Sequence, residues 1–235
     1  MVVPAYREAG RVGETVQAIR AALSDEWPGF ELLVVDDGSP DETSEEAKRA
    51  GATVLRLNDN EGKGAALAAG LAAARGDLLA MLDADLGVSA AEVTLLLPPV
   101  VSGEADMTVA TFPTVSGHKG GFGMVLRLAR WGLARAGAPP MQAPLSGQRV
   151  FTRAAWERIG RVDDGFALEM GLNLDAAKVS LHVVEIPTTM RHRMTGRNLS
   201  GFRHRGRQFL AVARALARRG LLWPFSGQRH RDSGK

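Results

Sequence analysis

Four short apolar runs punctuate the first third of the chain, at Val2-Val3, Leu32–Val35, Thr53–Leu57 and Leu78–Leu82, and helical patterns separate them. Runs this short, bounded by Pro, Gly and Asp, predict buried strands rather than helices. After the first of them, Val12, Val16, Ile19 and Leu23 recur at helical spacing and predict an amphipathic helix over 12–23. An Ala/Leu-rich stretch predicts another helix over 65–74. Strands alternating with helices imply βαβ units and a largely parallel sheet. Ligands of such sheets bind beyond the carboxyl ends of the strands.

Two of the runs end in acids. One closes with Asp36-Asp37-Gly38-Ser39, the other with Asp83-Ala84-Asp85. Aspartate is disfavoured inside strands, so each pair is delivered to the carboxyl edge of the sheet. Hard oxygen ligands of this kind suit Mg²⁺ or Mn²⁺ bridging phosphates; the alternative is a solvated turn. Gly62-Lys63-Gly64 places a cation at a helix entry, either to meet a phosphate or to sit in water. Ser39-Pro40-Asp41-Glu42 and Ser89-Ala90-Ala91-Glu92 both have capping-box form and predict helix starts, the first for a helix over 41–50. Neither the Gly-x-Gly-x-x-Gly pattern of dinucleotide folds nor a Gly-x-x-x-x-Gly-Lys-Ser/Thr loop is present.

The 235 residues suffice for one large domain with a sizeable core. There is no cysteine, which leaves no thiolate metal site and permits a reducing, cytoplasmic setting. No apolar run approaches the roughly 20 residues of a membrane span, and no leader pattern is visible. The first strand is expected to start at or before residue 1. The net charge of +3 conceals an asymmetry: residues 191–235 hold 12 Lys and Arg against one acid, whereas 1–190 carry a net −8. A basic segment on an acidic body reads as a surface for phosphates, membranes or nucleic acid.

Val3-Pro4-Ala5-Tyr6-Arg7-Glu8, Val34-Val35-Asp36-Asp37-Gly38-Ser39-Pro40-Asp41-x-Thr43, Asn60-x-Gly62-Lys63-Gly64-x-Ala66-Leu67 and Asp83-Ala84-Asp85 together resemble the family 2 glycosyltransferases of the GT-A fold. The likeness covers residues 1–110. It implies an α/β, Rossmann-like GT-A fold, with a mostly parallel central sheet flanked by helices and a C-terminal basic helix. It also implies a nucleoside-diphosphate sugar donor (UDP- or GDP-sugar) with Mg²⁺ or Mn²⁺. Carried over residue by residue, it assigns Pro4, Tyr6, Glu8, Asp36, Lys63 and Asp83 to the nucleotide and Asp85 to the metal. The family usually has Asn where Arg7 stands.

The second half is less patterned. Asp106–Ala110 predicts a strand, the glycine-rich stretch from Thr111 to Gly123 a mobile loop, and Val125–Ala136 a helix with Arg127, Arg130 and Arg135 on its polar side. Leu145-Ser146-Gly147-Gln148-Arg149-Val150-Phe151 resembles the family's glycine-containing acceptor loop, where Gly147 lets a ligand approach the backbone. Gly165–Gly171 corresponds to the acidic motif at the start of the helix beneath the acceptor. Many inverting members place an Asp base there, but this chain has Glu169 followed by Met170. A hydroxyl acceptor benefits from a base. A phosphate oxygen, with a second pKa of about 6, does not need one. Glu169 is therefore expected to position a ligand or loop. After a last strand over 182–186, Met190–Arg197 forms a basic loop. The resemblance makes His192 a second metal ligand and places Arg191, Arg193 and Arg197 near phosphate.

Phe209, Leu210, Ala213, Leu216 and Ala217 then suggest the apolar face of a helix whose other side carries Arg203, Arg207, Arg214 and Arg218. Leu221–Phe225 follows as an aromatic patch, and 226–235 as a disordered tail. The expected organisation is a donor half (1–110), an acceptor half (111–200), the basic helix with its patch (201–225) and the tail. The expected activity is metal-dependent transfer to a phosphorylated acceptor. A polyprenyl phosphate at the inner membrane face is the first choice, a soluble acceptor such as 3-phosphoglycerate the second. No nucleic acid is expected. A nucleotidyltransferase would also use Asp-x-Asp but would release pyrophosphate. A silent phosphate-binding module would leave the four motifs unexplained.

Overall fold

The computed structural model describes residues 1–112, 122–160, 163, 165–191 and 200–222, without the side chains of Phe122, Phe166 and 200–207. The amino-terminal part runs β1 (Val2–Ala5), α1 (Val12–Leu23), β2 (Leu33–Asp36), α2 (Thr43–Arg49), β3 (Thr53–Arg56), α3 (Lys63–Ala73) and β4 (Leu78–Met81). A 3₁₀ turn over Gly87–Glu92 leads to α4 (Val93–Leu96), α5 (Pro98–Val101) and β5 (Met107–Thr111). The remainder is α6 (Phe122–Arg135), β6 (Arg149–Thr152), α7 (Arg153–Ile159), α8 (Leu168–Lys178), β7 (Val183–Pro187) and α9 (Ser200–Arg218). The strands form one seven-stranded sheet in the order β3-β2-β1-β4-β6-β5-β7. All neighbours are parallel except β6, which runs antiparallel to β4 and β5. The mostly parallel α/β architecture expected from the alternation is the one observed.

β1 and β2 pair through four residues, Val2 with Leu33 to Ala5 with Asp36, but β1 and β4 pair only at Val2 and Met81. Pro4 stands just beyond that pair and has no N–H to offer β4. The two strands therefore part at their carboxyl ends, and a crevice opens between them, as at a topological switch point. One apolar cluster fills the face covered by α3, α6, α8 and α9, with Leu67, Met107, Leu133, Phe151 and Leu216 among its members. A second fills the face under α1 and α4, with Val16, Ile19, Leu82 and Leu96.

Both expected capping boxes form differently. α2 starts at Thr43, because the Ser39 hydroxyl accepts the Arg7 N–H (3.0 Å) and Asp41 accepts both the N–H and the hydroxyl of Thr43. Ser89 and Glu92 lie in the 3₁₀ turn and are committed to the segment after β7: Ser89 Oγ accepts Arg191 N–H at 3.1 Å, and Glu92 accepts from Thr189. In both places a long-range partner outcompetes the local cap.

The apolar face of α9 is rotated from the one its spacing predicts. Leu216 is buried as expected, but with Val212 and Ala215, whereas Phe209, Leu210 and Ala217 are exposed. α9 packs on α6 so closely that a Cβ at Gly132 would lie 2.2 Å from Leu216 Cδ2. Just past the helix, Arg219 is clamped between Asp163 (2.7 Å) and Asp175. α9 is thus a packed member of the core. Residues 113–121, the last part of the aromatic patch from Trp223, and the tail lie outside the described residues.

Candidate active site

The crevice between β1 and β4 is built from loops that buried carboxylates hold in place. Asp36 is fully buried: Oδ1 accepts Ser39 N–H at 2.8 Å, Oδ2 accepts the Ser44 hydroxyl, and Arg56 stands 3.3 Å away. Its carboxylate shapes the turn that holds the first loop, since Ser39 and Thr43 accept the N–H groups of Arg7 and Glu8. Arg7 adopts φ +58°, a left-handed conformation that Asn tolerates better than Arg. The family's preference for Asn here thus has a backbone cause. The Arg7 guanidinium lies 5.3 Å from the centre of the Tyr6 ring, and Tyr6 itself is exposed at the rim.

Asp37, the second acid of the Asp36-Asp37 pair, forks onto the N–H groups of Glu61 and Gly62, both at 2.8 Å. This fixes the entry to α3 and aims Lys63 across the crevice. Lys63 Nζ lies 2.8 Å from Asp83 Oδ1 and 3.0 Å from Glu169 Oε1. Burial alone would lower the pKa of this ammonium; Asp83 and Glu169 outweigh that and hold it above the ordinary lysine range. Gln148 donates to the other oxygen of Asp83 at 2.8 Å. A Cβ at Gly147 would come within 3.1 Å of both Asp83 Oδ2 and Lys63 Nζ, so the glycine leaves the pair accessible. Lys63, Asp83, Gly147 and Glu169, far apart in sequence, form one cluster.

Thr15 of α1 clasps the other acid loop, donating to Ala84 O at 2.8 Å and accepting Gly87 N–H at 2.9 Å around Asp85. Glu8 faces the same acids. Burial, reinforced by Asp85, Asp83 and Asp41 and opposed by Arg11, raises its carboxyl above the usual range. Its Oε2 is buried and, although 3.1 Å from Arg11, makes no hydrogen bond. This concentration of oxygen ligands with an unsatisfied buried acceptor fits a hard divalent cation, and Asp85 would hold it. Among the described residues no three His, Cys, Asp or Glu gather into a ready-made metal cage. A cation here would therefore draw further ligands from phosphate and water, as Mg²⁺ commonly does. Arg191 is exposed, with its backbone tied to Ser89 in the turn that follows Asp85. His192, Arg193 and Arg197 lie outside the described residues.

Beneath the Gly147 loop is Arg149, fully buried. Its guanidinium donates to Ser146 O (3.0 Å), Asn173 Oδ1 (2.6 Å) and Glu169 O (3.3 Å). Burial lowers its pKa to about 10, partly offset by Glu169 and Glu185, so it stays charged at neutral pH. Glu185 of β7 accepts the N–H groups of Gln142 and Ala143 at 2.7 and 2.6 Å, anchoring the start of the same loop. No local pattern marks Glu185 in the sequence; adjacency to Asp36 was the available signal for Asp37, and membership of the Leu145–Phe151 motif the signal for Gln148 and Arg149.

Residues 1–160 match the family model described as glycosyl transferase family 2. The chain is 32% identical over 212 residues to the low-salt glycan biosynthesis hexosyltransferase Agl6 of Haloferax volcanii, covering 86% of this chain and 50% of that protein. It is 37% identical over 109 residues to the undecaprenyl-phosphate 4-deoxy-4-formamido-L-arabinose transferase of Pseudomonas aeruginosa, covering 44% of this chain and 32% of the relative. The chain thus spans half or less of the length of these two relatives. Among solved structures, glucosyl-3-phosphoglycerate synthase of Mycobacterium tuberculosis bound to phosphoglyceric acid superposes with a TM-score of 0.73 at 27% identity, over 96% of this chain and 80% of that one. The same enzyme is also known with Mn²⁺, UDP and phosphoglyceric acid. Mannosyl-3-phosphoglycerate synthase of Rubrobacter xylanophilus superposes with a TM-score of 0.77 at 26% identity, over 100% of this chain and 77% of that one.

Proposed function

We propose, from the premise that this chain belongs to glycosyl transferase family 2, that it moves a sugar from a nucleoside-diphosphate sugar to a phosphorylated acceptor, and that this acceptor is a polyprenyl phosphate. The observation that carries the reading is the state of the acceptor side. Glu169 is paired with Lys63 at 3.0 Å, and Met170, in the family's base position, is fully buried. A carboxylate tied to an ammonium is a poor base, and a thioether is none. An acceptor already ionised near neutral pH suits such a site. The undecaprenyl-phosphate transferase relative supports the lipid carrier.

In this reading Tyr6, Glu8 and the Asp36 turn frame the nucleoside, and Lys63 faces the diphosphate. Asp85 would hold the divalent ion, which supplies charge compensation for the departing diphosphate. Gly147 admits the acceptor phosphate beside Asp83 and Lys63. Arg191, with Arg193 and Arg197 further along the same segment, would complete the anion-binding side, and His192 would be the second ligand of the ion.

A second reading keeps the donor chemistry and replaces the lipid with a small soluble acceptor. The fold likeness to a synthase bound to phosphoglyceric acid favours it. The two separate in one assay: detergent-solubilised short-chain polyprenyl phosphate or 3-phosphoglycerate is offered with UDP- and GDP-sugars and Mn²⁺, and nucleoside diphosphate release is followed. Release stimulated only by phosphoglycerate rejects the lipid reading, and release of pyrophosphate rejects transfer altogether. Asp85→Asn should abolish metal-dependent nucleoside-diphosphate binding with little change in thermal stability; unchanged affinity would remove Asp85 from the metal site.

A further inference from the structure

α6 and α9 form a layer that contains no acidic residue. α6 carries Arg127, Arg130 and Arg135; α9 carries Arg203, Arg205, Arg207, Arg214 and Arg218, on a body whose residues 1–190 have a net charge of −8. The layer also holds large apolar side chains in the open. Met124 is 57% exposed, Trp131 44%, Phe209 39% and Leu210 55%.

Helical geometry brings several of these to one seam. At 100° per residue, Met124, Trp131 and Arg135 share a stripe of α6 that flanks Gly132, the point of contact with Leu216. Phe209, seven residues before Leu216, falls on the α6-facing side of α9. The Arg135 guanidinium lies 5.1 Å from the centre of the Trp131 ring, so charge and aromatic surface meet. The layer is also continuous with the acceptor side. Arg130 donates to Met141 O (3.0 Å) and Gln142 O (3.1 Å), and the chain reaches Gly147 five residues later. α9 rests on the 3₁₀ turn Gly165–Ala167, which leads directly into Glu169.

We infer that the outer face of the α6–α9 layer docks on an anionic lipid bilayer, with Trp131 and Phe209 entering the interface and the exposed Arg127 and Arg214 meeting lipid phosphates. The inference rests on the polyprenyl-phosphate reading only for its purpose; the binding itself is measured without donor or acceptor. Among the described residues no helix is long and apolar enough to cross a membrane, so the contact is interfacial.

The test is cosedimentation of the full chain with vesicles of phosphatidylcholine alone or mixed equally with phosphatidylglycerol. The wild type should pellet with the mixed vesicles at low salt and be released as salt rises, because exposed charges are screened within about 10 Å at 0.1 M. Trp131→Ser with Phe209→Ser should weaken binding roughly tenfold. Arg127→Glu, at an exposed position, should weaken it roughly fivefold or more. Should the aromatic pair of changes unfold the protein, Arg127→Glu with Arg214→Glu reads the same face. Equal pelleting of wild type and variants, binding indifferent to lipid charge, or no binding at low salt overturns the proposal. So does a Trp131-dependent dimer, which would assign the face to a second copy. Vesicle binding with no transfer to polyprenyl phosphate in detergent would instead reject the acceptor reading and leave the docking face standing.

Discussion

The two sides of the crevice are held by side chains of opposite charge. On the amino-terminal side, carboxylates collect backbone N–H groups: Asp37 takes those of Glu61 and Gly62, and Glu46 those of Gly10 and Gly13. On the side of the Gly147 loop, guanidiniums collect carbonyls: Arg149 takes those of Ser146 and Glu169, and Arg130 those of Met141 and Gln142. Glu185 is an exception on this second side. Either device fixes a loop, since one planar group satisfies two or more backbone partners. The charge each leaves behind differs. The amino-terminal side accumulates negative charge that a divalent ion would relieve, and the Gly147 side accumulates positive charge beneath the Lys63–Asp83 pair.

Removing a clamp should therefore hurt in different ways on the two sides. The largest effect is expected from Arg219→Ala, which removes the cation shared by the buried carboxylates Asp163 and Asp175 and leaves Asp163 the more exposed Arg218 at 3.4 Å. Breaking such a pair costs about 3–5 kcal/mol. A denaturant midpoint close to wild type would show that α9 is held by its apolar contacts alone. Next is Asp37→Asn, which exchanges one of two charge-assisted acceptors for a donor facing an N–H, at about 1.5–3 kcal/mol. Its loss should appear as weaker nucleoside-diphosphate binding together with lower stability. Full donor affinity would mean that the 61–62 loop holds its shape unaided.

Gly147→Ala should leave stability nearly intact. By crowding Lys63 and Asp83 it should slow turnover about tenfold, since small misplacements near reacting groups are costly. Unchanged turnover would detach this glycine from the acceptor path. The smallest effect is a pH dependence. Because Glu8 is raised, its ionisation is harder in the folded than in the unfolded state, and the wild type loses stability as pH climbs through the interval between the two values. Glu8→Gln should be the more stable form above that interval, and the advantage should vanish below it. Parallel stability–pH curves would contradict the assigned environment.

The amino-terminal side of the crevice was legible in sequence because its signals are local. An apolar run followed at once by Asp36-Asp37 or Asp83-x-Asp85 fixes strand and edge within a few residues. The Gly147 side depends on contacts between distant segments. Arg149 reaches Asn173, and α8, buried from Leu168 to Ala176, has no polar stripe to betray its phase. The same limit explains the misread face of α9. Its spacing is compatible with Phe209 and Leu210 inside, and only the partner residues Gly132, Asp163 and Asp175 decide that Val212 and Ala215 join Leu216 in the core instead. The capping-box pattern at Ser39 failed for a related reason: the hydroxyl was already needed by a loop 32 residues away.

The antiparallel β6 has a consequence for how the chain is made. β1 to β4 can assemble as soon as residues up to Met81 are available, since their pairings lie wholly within that stretch. The outer edge of β4 then waits for Arg149–Thr152, and until that segment leaves the ribosome Leu78–Met81 presents an open, apolar ladder. Unpaired edges of this kind invite association with other chains. The interval between synthesis of β4 and synthesis of β6 therefore leaves the nascent protein open to association, and a chaperone that shields β4 during it should raise the yield of folded chain without touching the finished molecule.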